Sequence, residues 1–281
     1  MLDFSRPTAL PEALALLAEH RPLILAGGTD LFPATERAGL SGRVLSIDRI
    51  AGLCGITETD AGLRIGAATP WAEIARHPGP PGWAALAEAA VEVGGRQIQS
   101  RGTIGGNLCN ASPAADGVPP LLALEAEVEL ASAQATRRLP LAEFLTGPRR
   151  TALQPGELMT AIHLPADALR DRSRFLKLGA RSHLVISIAM VAVRVRVGAG
   201  RIAEAALAVG ACGPVAARLP EVEAALIGAS PAEAPDRIDP ATVAAALAPL
   251  DDIRATAAYR GDAAAVLLRR ALADLPDEGT T

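Results

Sequence analysis

The spacing of apolar residues predicts a series of short helices and strands in the first half of the chain. Leucines at helical spacing, after a proline and a glutamate, predict a helix over residues 8–20. Residues 83–93 predict a second helix, which should end at two consecutive glycines, and residues 31–40 predict a short helix or turn. Short apolar runs predict strands over residues 22–26, 44–47, 63–67, 128–130 and 157–164.

The pattern changes in the second half, after Pro165. The polar stretch DALRDRSR (residues 167–174) predicts a connection at a domain boundary. Strands follow over residues 174–180, 183–197 and 201–209, because VAVRVRV alternates apolar and charged residues as a half-exposed antiparallel strand does. Helices are predicted over residues 221–227, 241–247 and 253–275, and the last residues are expected to be a frayed tail.

This order of elements predicts an α+β fold with a smaller C-terminal domain, in which strands precede helices. The segment GAGRIA (residues 198–203) matches the dinucleotide fingerprint G-x-G-x-x-A. That fingerprint requires a buried strand that leads into a helix, whereas GAGRIA joins two alternating strands. A glycine-rich hairpin turn is therefore expected instead.

Composition excludes several classes of function. Half of the residues are apolar but only 2% are aromatic, so the core must consist of Val, Leu, Ile and Ala. The net charge of −4, without a basic stripe, argues against nucleic-acid binding. The apolar run at residues 184–193 is too short to span a bilayer, and the N-terminus lacks the apolar region of a secretory signal. We therefore expect a cytoplasmic chain without membrane insertion.

The three cysteines and four histidines show no metal-binding pattern. Cys54, Cys109 and Cys212 lie far apart in the sequence, which excludes an iron–sulfur cluster or a structural zinc held by this chain alone. Cys109 is interpreted as a small packing residue. The histidines are scattered, and we find no candidate acid–base pair. No catalytic residue and no metal ligand are therefore assigned.

Lysine is almost absent from the chain. Of the 27 basic residues only Lys177 is a lysine. One interpretation is a compact point charge beside a ligand, where a guanidinium does not fit. The other is chance retention on the surface, and composition alone leaves both open.

Two glycine loops are candidates for binding phosphate groups. Residues 27–30 (GGTD) and residues 103–107 (TIGGN) combine adjacent glycines with donors from Thr29, Thr103 and Asn107. Successive amides in such loops can point inward as an anion-binding nest, and two nests suit a pyrophosphate. The chain contains no G-K-[ST] sequence, so neither loop is a P-loop for ATP. Taken alone, each loop is weak evidence, because adjacent glycines usually form an ordinary turn.

Two carboxylates beside these loops have the wrong sign to bind phosphate. Asp30 and Asp116 are better suited to accept hydrogen bonds from hydroxyl or amino groups of a nucleotide, or to cap turns and helices.

Seven segments, spread over nearly the whole chain, form a specific combination. They are EALALLAEH (residues 12–20), LAGGTDL (25–31), IGAATP (65–70), RGTIGGNLCNASPAAD (101–116), PGELMTAIHLP (155–165), FLKLGAR (175–181) and DDIRATAAYR (251–260). Together they resemble the FAD-binding medium subunit of the molybdenum hydroxylases, the family of bacterial xanthine dehydrogenase and carbon monoxide dehydrogenase. AGGTDL, GTIGGN and the later P-x-x-D carry the resemblance as a set.

The resemblance implies two domains within the α+β class. An FAD-binding domain of the para-cresol methylhydroxylase type, made of two α+β subdomains, is expected over residues 1–168. A C-terminal flavin-subunit domain of the CO dehydrogenase type, with antiparallel strands plus helices, is expected over residues 169–276, followed by a tail over residues 277–281.

The resemblance also implies a set of residues that bind FAD non-covalently. The first loop would supply Ile24, Leu25, Ala26, Gly27, Gly28, Thr29, Asp30 and Leu31. The second loop would supply Thr103, Ile104, Gly105, Gly106 and Asn107. Asp116 matches the family's acidic FAD contact, Met159 its apolar flavin neighbour and Lys177 its lysine near the isoalloxazine. Ile186 is also expected to approach the ring. We expect Lys177 to stabilise the anionic reduced flavin and to raise its potential.

The function implied by the resemblance is electron transfer within an oxidoreductase complex. A large partner subunit would hold molybdopterin, a small partner would hold 2Fe-2S clusters, and FAD in this chain would pass electrons to an external acceptor. A dimer of heterotrimers is expected. Two alternatives stay open: a self-contained flavin oxidoreductase, and a non-enzymatic nucleotide-binding assembly module.

The sequence departs from the family ahead of the second glycine loop. Family members commonly read Q-[IV]-R-N, whereas this chain reads QIQS at residues 97–100. Arg101 is a candidate to replace the missing cation. The substrate and the electron acceptor are not indicated by any motif in the chain.

Overall fold

The computed structural model describes residues 2–35, 39–182 and 184–275. Three predictions fall partly or wholly on the remaining positions: the short helix or turn over residues 31–40, the strand start at His183 and the C-terminal tail. Those positions lie outside the described residues.

The helices of the described residues are short, with one exception near the C-terminus. They are α1 (Leu10–His20), α2 (Trp71–Ile74), α3 (Ala84–Glu92), α4 (Arg96–Gln99), α5 (Ile104–Asn110), α6 (Val118–Ala123), α7 (Leu141–Phe144), α8 (Ala166–Arg170), α9 (Pro220–Leu226), α10 (Pro240–Ala245) and α11 (Ala257–Ala273). Short 3-10 turns cover Pro81–Trp83 and Ala234–Arg237.

The strands form four sheets. They are β1 (Leu2–Ser5), β2 (Leu23–Leu25), β3 (Gly42–Ser46), β4 (Ile56–Thr59), β5 (Gly62–Gly66), β6 (Glu127–Ala131), β7 (Thr136–Pro140), β8 (Leu145–Gly147), β9 (Arg150–Thr151), β10 (Leu158–Pro165), β11 (Arg172–Leu178), β12 (Ala189–Gly198), β13 (Arg201–Gly210) and β14 (Ala217–Arg218). The sheet orders are β1-β3-β2, β4-β5-β10-β6-β7, β11-β12-β13-β14 and β8-β9.

The N-terminal part consists of two sheets of different type. The first sheet is parallel, with α1 as the connection between β1 and β2. The second sheet is antiparallel, and helices α2, α3, α5 and α6 bury its apolar face in the largest core cluster of the described residues. Two α+β units therefore lie side by side, and the cleft between them is available for a ligand.

The C-terminal part is an antiparallel sheet covered by α9, α10 and α11. Its central hairpin turns at Ala199 and Gly200, which have φ angles of 51° and 75°. Two consecutive positive φ angles are typical of type I′ turns, which are two-residue loops that join the strands of a β-hairpin. The prediction that GAGRIA is a hairpin turn and not a dinucleotide fingerprint is therefore confirmed.

The opposite face of this sheet packs against the N-terminal part. Phe175 and Met190 meet small alanines of α3 and α6 in a buried cluster. The hydroxyl of Ser173 accepts a hydrogen bond from the Ala85 amide over 3.0 Å and donates one to the Gly82 carbonyl over 2.8 Å. The two parts therefore share a packed, hydrogen-bonded interface.

The α+β class and the order of a mixed N-terminal part before a strand-then-helix C-terminal part are confirmed. The polar connection predicted at residues 167–174 has regular structure, because this stretch forms most of α8 and the start of β11. Asp171 within it is buried and binds the buried Arg194, so its charge is neutralised inside the protein. No helix of the described residues is long and apolar enough to cross a membrane.

Candidate functional site

A cavity of about 840 Å³ lies between the parallel sheet, α5 and the loop that precedes β12. Its volume is at the upper end of the range of about 300–1,000 Å³ that ligand pockets usually have. A smaller open groove of about 430 Å³ lies beside α2 and is lined by neither glycine loop. The larger cavity is therefore the candidate site.

The first glycine loop enters the cavity at the carboxyl end of β2, where ligands bind in open parallel sheets. Gly28 has a φ of 77°, a conformation that favours glycine. No amide of residues 27–31 donates a hydrogen bond within the described part of the chain. These residues line the cavity and their amides are free to donate to a ligand, as an anion-binding nest requires.

The second glycine sequence is the start of α5. Thr103 caps this helix, and its hydroxyl accepts a hydrogen bond from the Gly106 amide over 3.1 Å. The amides of Ile104, Gly105 and Asn107 donate to carbonyls of the protein over 2.8 to 3.0 Å. The prediction of a second backbone nest is therefore wrong, because the helix and its neighbours already use these amides. Among the amides of residues 103–107, only that of Thr103 donates no hydrogen bond within the described part of the chain, so side chains are the main polar groups that this segment offers to a ligand.

The two glycine segments are in backbone contact. A Cβ atom on Gly27 would lie 1.9 Å from the Arg101 carbonyl oxygen, and one on Gly105 would lie 2.6 Å from the Ala67 carbonyl oxygen. Only glycine allows these approaches. The absence of side chains therefore brings both loops to the same cavity.

Asn107 carries an unsatisfied polar atom at the cavity. Its Oδ1 atom is buried and has no hydrogen-bond partner in the described part of the chain. Such an acceptor costs about 1–3 kcal/mol unless a ligand or an ordered water donates to it. This atom and the free amides of residues 27–31 are the arrangement expected of a site built to bind a polar ligand.

Asp116 connects the cavity to Lys177. The Lys177 Nζ atom lies 2.7 Å from the Asp116 Oδ2 atom, with side-chain exposures of 6% and 11%. Ser187 donates to the other oxygen over 2.6 Å, and Lys177 also donates to the Glu92 carbonyl over 3.3 Å. Burial raises the pKa of Asp116, and the ammonium and the hydroxyl oppose this rise. Lys177 is therefore a buried charge that reaches the cavity through Asp116.

Arg149 is the basic side chain among the described residues that line the cavity. It donates to the Asn110 side-chain oxygen, and Asn110 in turn donates to Asp30 over 2.8 Å. This relay connects the first glycine loop to the end of α5. The cation of the cavity is therefore Arg149, whereas Arg101 does not line the cavity and lies on the surface.

Cys109 also lines the cavity, and the residue as a whole is exposed, although protein atoms surround its thiol. Its interpretation as a packing residue is wrong in this respect. Protein atoms around the thiol desolvate it and raise its pKa to about 12, so it stays protonated at neutral pH. All three cysteines are free thiols, and the described residues contain no cluster of His, Cys, Asp and Glu that could hold a metal ion.

Comparison with known proteins identifies the family. Residues 1–167 match the family described as the FAD binding domain in molybdopterin dehydrogenase. The chain belongs to this family. Residues 174–275 also match the CO dehydrogenase flavoprotein C-terminal domain.

Relatives of the family align along most of the chain. The nicotinate dehydrogenase FAD-subunit of Eubacterium barkeri is 35% identical, over 81% of this chain and 80% of that protein. The xanthine dehydrogenase FAD-binding subunit of Escherichia coli O157:H7 is 33% identical, over 79% of each. The structure of CO dehydrogenase from Oligotropha carboxidovorans superposes with a TM-score of 0.89 and 28% identity, over 97% of this chain and 96% of that chain.

Most residues predicted to bind FAD from the family resemblance line the cavity. The exceptions are Leu25, Ile104 and Lys177. Leu25 lies in β2, Ile104 is fully buried in the core, and Lys177 lies behind Asp116. Met159, on β10, and Ile186 both line the cavity. Direct contact of these residues with FAD stays a prediction.

Several residues that line the cavity were not predicted from the sequence. Apolar side chains of Val93, Ile98, Leu184 and Val185 line it, as do Arg149 and Asn110. These residues stand outside the glycine motifs, so no local pattern marks them. The run LVISIAMVAV did mark residues 184–188 as apolar, but it was interpreted as the start of a strand, whereas β12 begins only at Ala189.

Proposed function

We propose that the chain binds FAD non-covalently in the cavity and acts as the electron-transfer subunit of a molybdopterin-dependent hydroxylase or dehydrogenase. The single observation that carries the proposal is the set of free amides of residues 27–31, which line the same cavity as Asn107. A dinucleotide offers phosphate oxygens to amides and hydroxyl or ring N–H donors to an unsatisfied acceptor. The FAD-binding domain extends over residues 1–168, and the C-terminal domain over residues 169–276.

The residues of the cavity fit the chemical groups of this cofactor. The free amides of the first loop would hold the pyrophosphate, and Arg149 would neutralise part of its charge. Asn107 and Thr103 would add side-chain contacts from α5. Asp116 would accept hydrogen bonds from hydroxyl or N–H groups, and the apolar side chains of Met159 and Ile186 would exclude water from the ring.

FAD, when bound, couples one-electron carriers to two-electron acceptors. The protein contributes position and electrostatics. The ion pair of Lys177 with Asp116 places two opposite charges beside the cavity, so the field at the ring depends on both of them. The chemistry on the substrate is assigned to a partner, since relatives of this chain are named as the FAD-subunit or the medium chain of dehydrogenases.

Partner subunits follow from the relatives. The names of the relatives include FAD-subunits and a medium chain of carbon monoxide dehydrogenase, which imply other chains. We propose a large subunit with molybdopterin and a small subunit with 2Fe-2S clusters, assembled as a dimer of heterotrimers in the cytoplasm. The small subunit delivers electrons to FAD in this chain, and FAD passes them to an external acceptor.

Co-expression with a large and a small partner subunit tests this function. Rapid reduction of the bound FAD by substrate should require both partners, and the isolated chain should not be reduced by the same substrates. Turnover by the isolated chain would instead support a self-contained flavin oxidoreductase. FAD that binds but is never reduced in the complex would support an assembly module.

A further inference from the structure

We infer that Arg260, oriented by Asp252, is a positioning residue that holds one wall of the FAD cavity in place. The wall is the segment of residues 184–188, between β11 and β12. This inference rests on the proposed function, because it concerns the same cavity. It assigns a role to the segment DDIRATAAYR (residues 251–260), which lines no part of the cavity and contributes nothing to the site described above.

The wall segment is buried at Ser187 and Ile188 but exposed at Leu184 and Ile186. Its backbone is held at one end by Arg181, which donates to the Leu184 carbonyl, and at the other by the Ile188 amide, which donates to the Leu178 carbonyl over 2.8 Å. Leu184, Val185 and Ile186 line the cavity, and Leu184 and Ile186 are 58% and 61% exposed. Leu184 also has a φ of 54°, which is unfavourable for a leucine. An exposed apolar loop with a strained residue keeps one conformation only if its backbone is fixed from elsewhere.

Arg260 supplies this fixation from α11. Its side chain is 2% exposed. One terminal nitrogen donates to the Ile188 carbonyl over 2.6 Å and to the Ala211 carbonyl over 3.1 Å. The other terminal nitrogen binds the Asp252 carboxylate over 2.7 Å. A single guanidinium therefore joins the end of the wall segment to the end of β13.

Asp252 and Arg254 complete the arrangement. The Asp252 carboxylate accepts from Arg260 and also from the backbone and side chain of Arg254. These arginine contacts hold the pKa of Asp252 well below its usual range. Arg254 in turn donates to the Ser187 carbonyl over 3.4 Å. Two adjacent carbonyls of the wall are thus bound by two arginines that share one carboxylate.

The fixed carbonyls lie next to the groups that face the cavity. The hydroxyl of Ser187 donates to Asp116, which lines the cavity and binds Lys177. The Ala211 amide donates to the Pro113 carbonyl over 3.0 Å, beside the second glycine segment. A loss of Arg260 should therefore displace Ile186 from the ring and weaken the Ser187–Asp116 hydrogen bond, although neither residue is altered.

The variant Arg260→Met keeps an unbranched apolar stem and removes the guanidinium with all of its donors. We expect FAD to dissociate roughly tenfold faster, which corresponds to about 1.4 kcal/mol, because the wall loses the charged donor that holds its backbone. The absorption spectrum of the remaining bound flavin should shift. Hydrogen–deuterium exchange of residues 184–188 should increase in the FAD-free protein. Arg260→Lys should give intermediate values.

Arg269→Met is the matched control. Arg269 is on the same helix and donates to the Ile238 carbonyl over 2.8 and 3.2 Å, but within the described part of the chain it makes no hydrogen bond or ion pair with the wall segment. It should lower stability without changing the flavin spectrum or exchange at residues 184–188. Equal effects of both substitutions on FAD dissociation and wall exchange would overturn the inference, because they would show a general loss of stability.

Asp252→Asn provides a second test if Arg260→Met does not fold. The Asp252 side chain is about one third exposed, so the substitution leaves the core intact. Roughly threefold faster FAD dissociation is expected. Arg254 and Arg260 keep their carbonyl acceptors but lose the negative charge of the carboxylate that both of them bind. Unchanged dissociation and unchanged wall exchange would contradict the inference. If the unaltered protein binds no FAD, the proposed function fails. The exchange measurement on residues 184–188 still tests whether Arg260 holds the wall segment in place.

Discussion

The ammonium of Lys177 lies 2.7 Å from the carboxylate of Asp116, and both groups are buried beside the cavity. The pair changes the expected effect of Lys177 on the flavin. A free ammonium would raise the flavin potential, but a paired one is opposed by a carboxylate that itself lines the cavity. The potential should therefore depend on the balance of the two charges.

Asp116→Asn should raise the midpoint potential of bound FAD, because it leaves the positive charge of Lys177 uncompensated. A shift on the order of 30 mV is expected, which is about 1.4 kcal/mol for a two-electron couple. Redox titration with FAD bound measures it. A lower potential in this variant would show that Lys177 does not act on the ring.

Lys177→Met should lower the potential at about pH 9, where Asp116 stays ionised. The difference should shrink at about pH 6, since burial raises the pKa of Asp116 and loss of the ammonium raises it further. The double variant Asp116→Asn/Lys177→Met should return towards the unaltered value at both pH values. An unchanged potential in Lys177→Met at high pH, with FAD still bound, would refute this role.

Gly27→Ala should disrupt the contact between the two glycine segments. The added methyl group would overlap the Arg101 carbonyl oxygen, which is backbone and cannot rotate away. We expect a loss of about 1–3 kcal/mol in the free energy of unfolding and a much lower FAD affinity. Gly39→Ala is the control, because nothing lies within 4 Å of its added Cβ. Similar behaviour of both variants would argue against the loop contact.

Asn107→Ala should lower the affinity for FAD without lowering the stability of the FAD-free protein. Removal of its unsatisfied buried oxygen offsets the lost packing, so the FAD-free protein should unfold at nearly the same denaturant concentration. FAD affinity should fall roughly tenfold, as one hydrogen bond to the ligand is lost. Denaturant titration and calorimetry with FAD measure the two quantities. Parallel losses of stability and affinity would assign Asn107 a structural role.

The pair of His163 and Glu129 should make stability depend on pH. Their side chains lie 3.0 Å apart, with Arg64 and Arg138 beside them. Burial lowers the pKa of His163, although Glu129 opposes this shift. The folded state therefore prefers the neutral imidazole, and stability should fall as the pH drops from about 8 to about 5.5. Thermal unfolding of His163→Gln should show a smaller loss over this range.

Local sequence patterns predicted those features that depend on near neighbours. The turn at Ala199 and Gly200, the helix α1 and the strand β10 follow from spacing and turn residues. The glycine segment in α5 did not, because Thr103 and the carbonyls of Ala67 and Thr69 use amides that the sequence presents as free. Which amides remain available is decided by tertiary contacts.

Local sequence patterns also could not predict the partners of the charged groups at the site. Lys177 and Asp116 stand 61 residues apart, and Arg260 and Ile188 stand 72 apart. The family resemblance named Lys177 and Asp116 as separate FAD contacts, but only the fold shows that they bind each other. Arg149 carries no motif, and its place in the cavity follows from a positive φ at the β8–β9 turn.

The central claim is that the cavity binds FAD, and flavin content tests it most directly. The purified chain, or the folded chain titrated with FAD, should show flavin absorption bands that correspond to one FAD per chain and disappear in Gly27→Ala but not in Gly39→Ala. A folded chain that stays colourless and binds no added FAD would contradict the account.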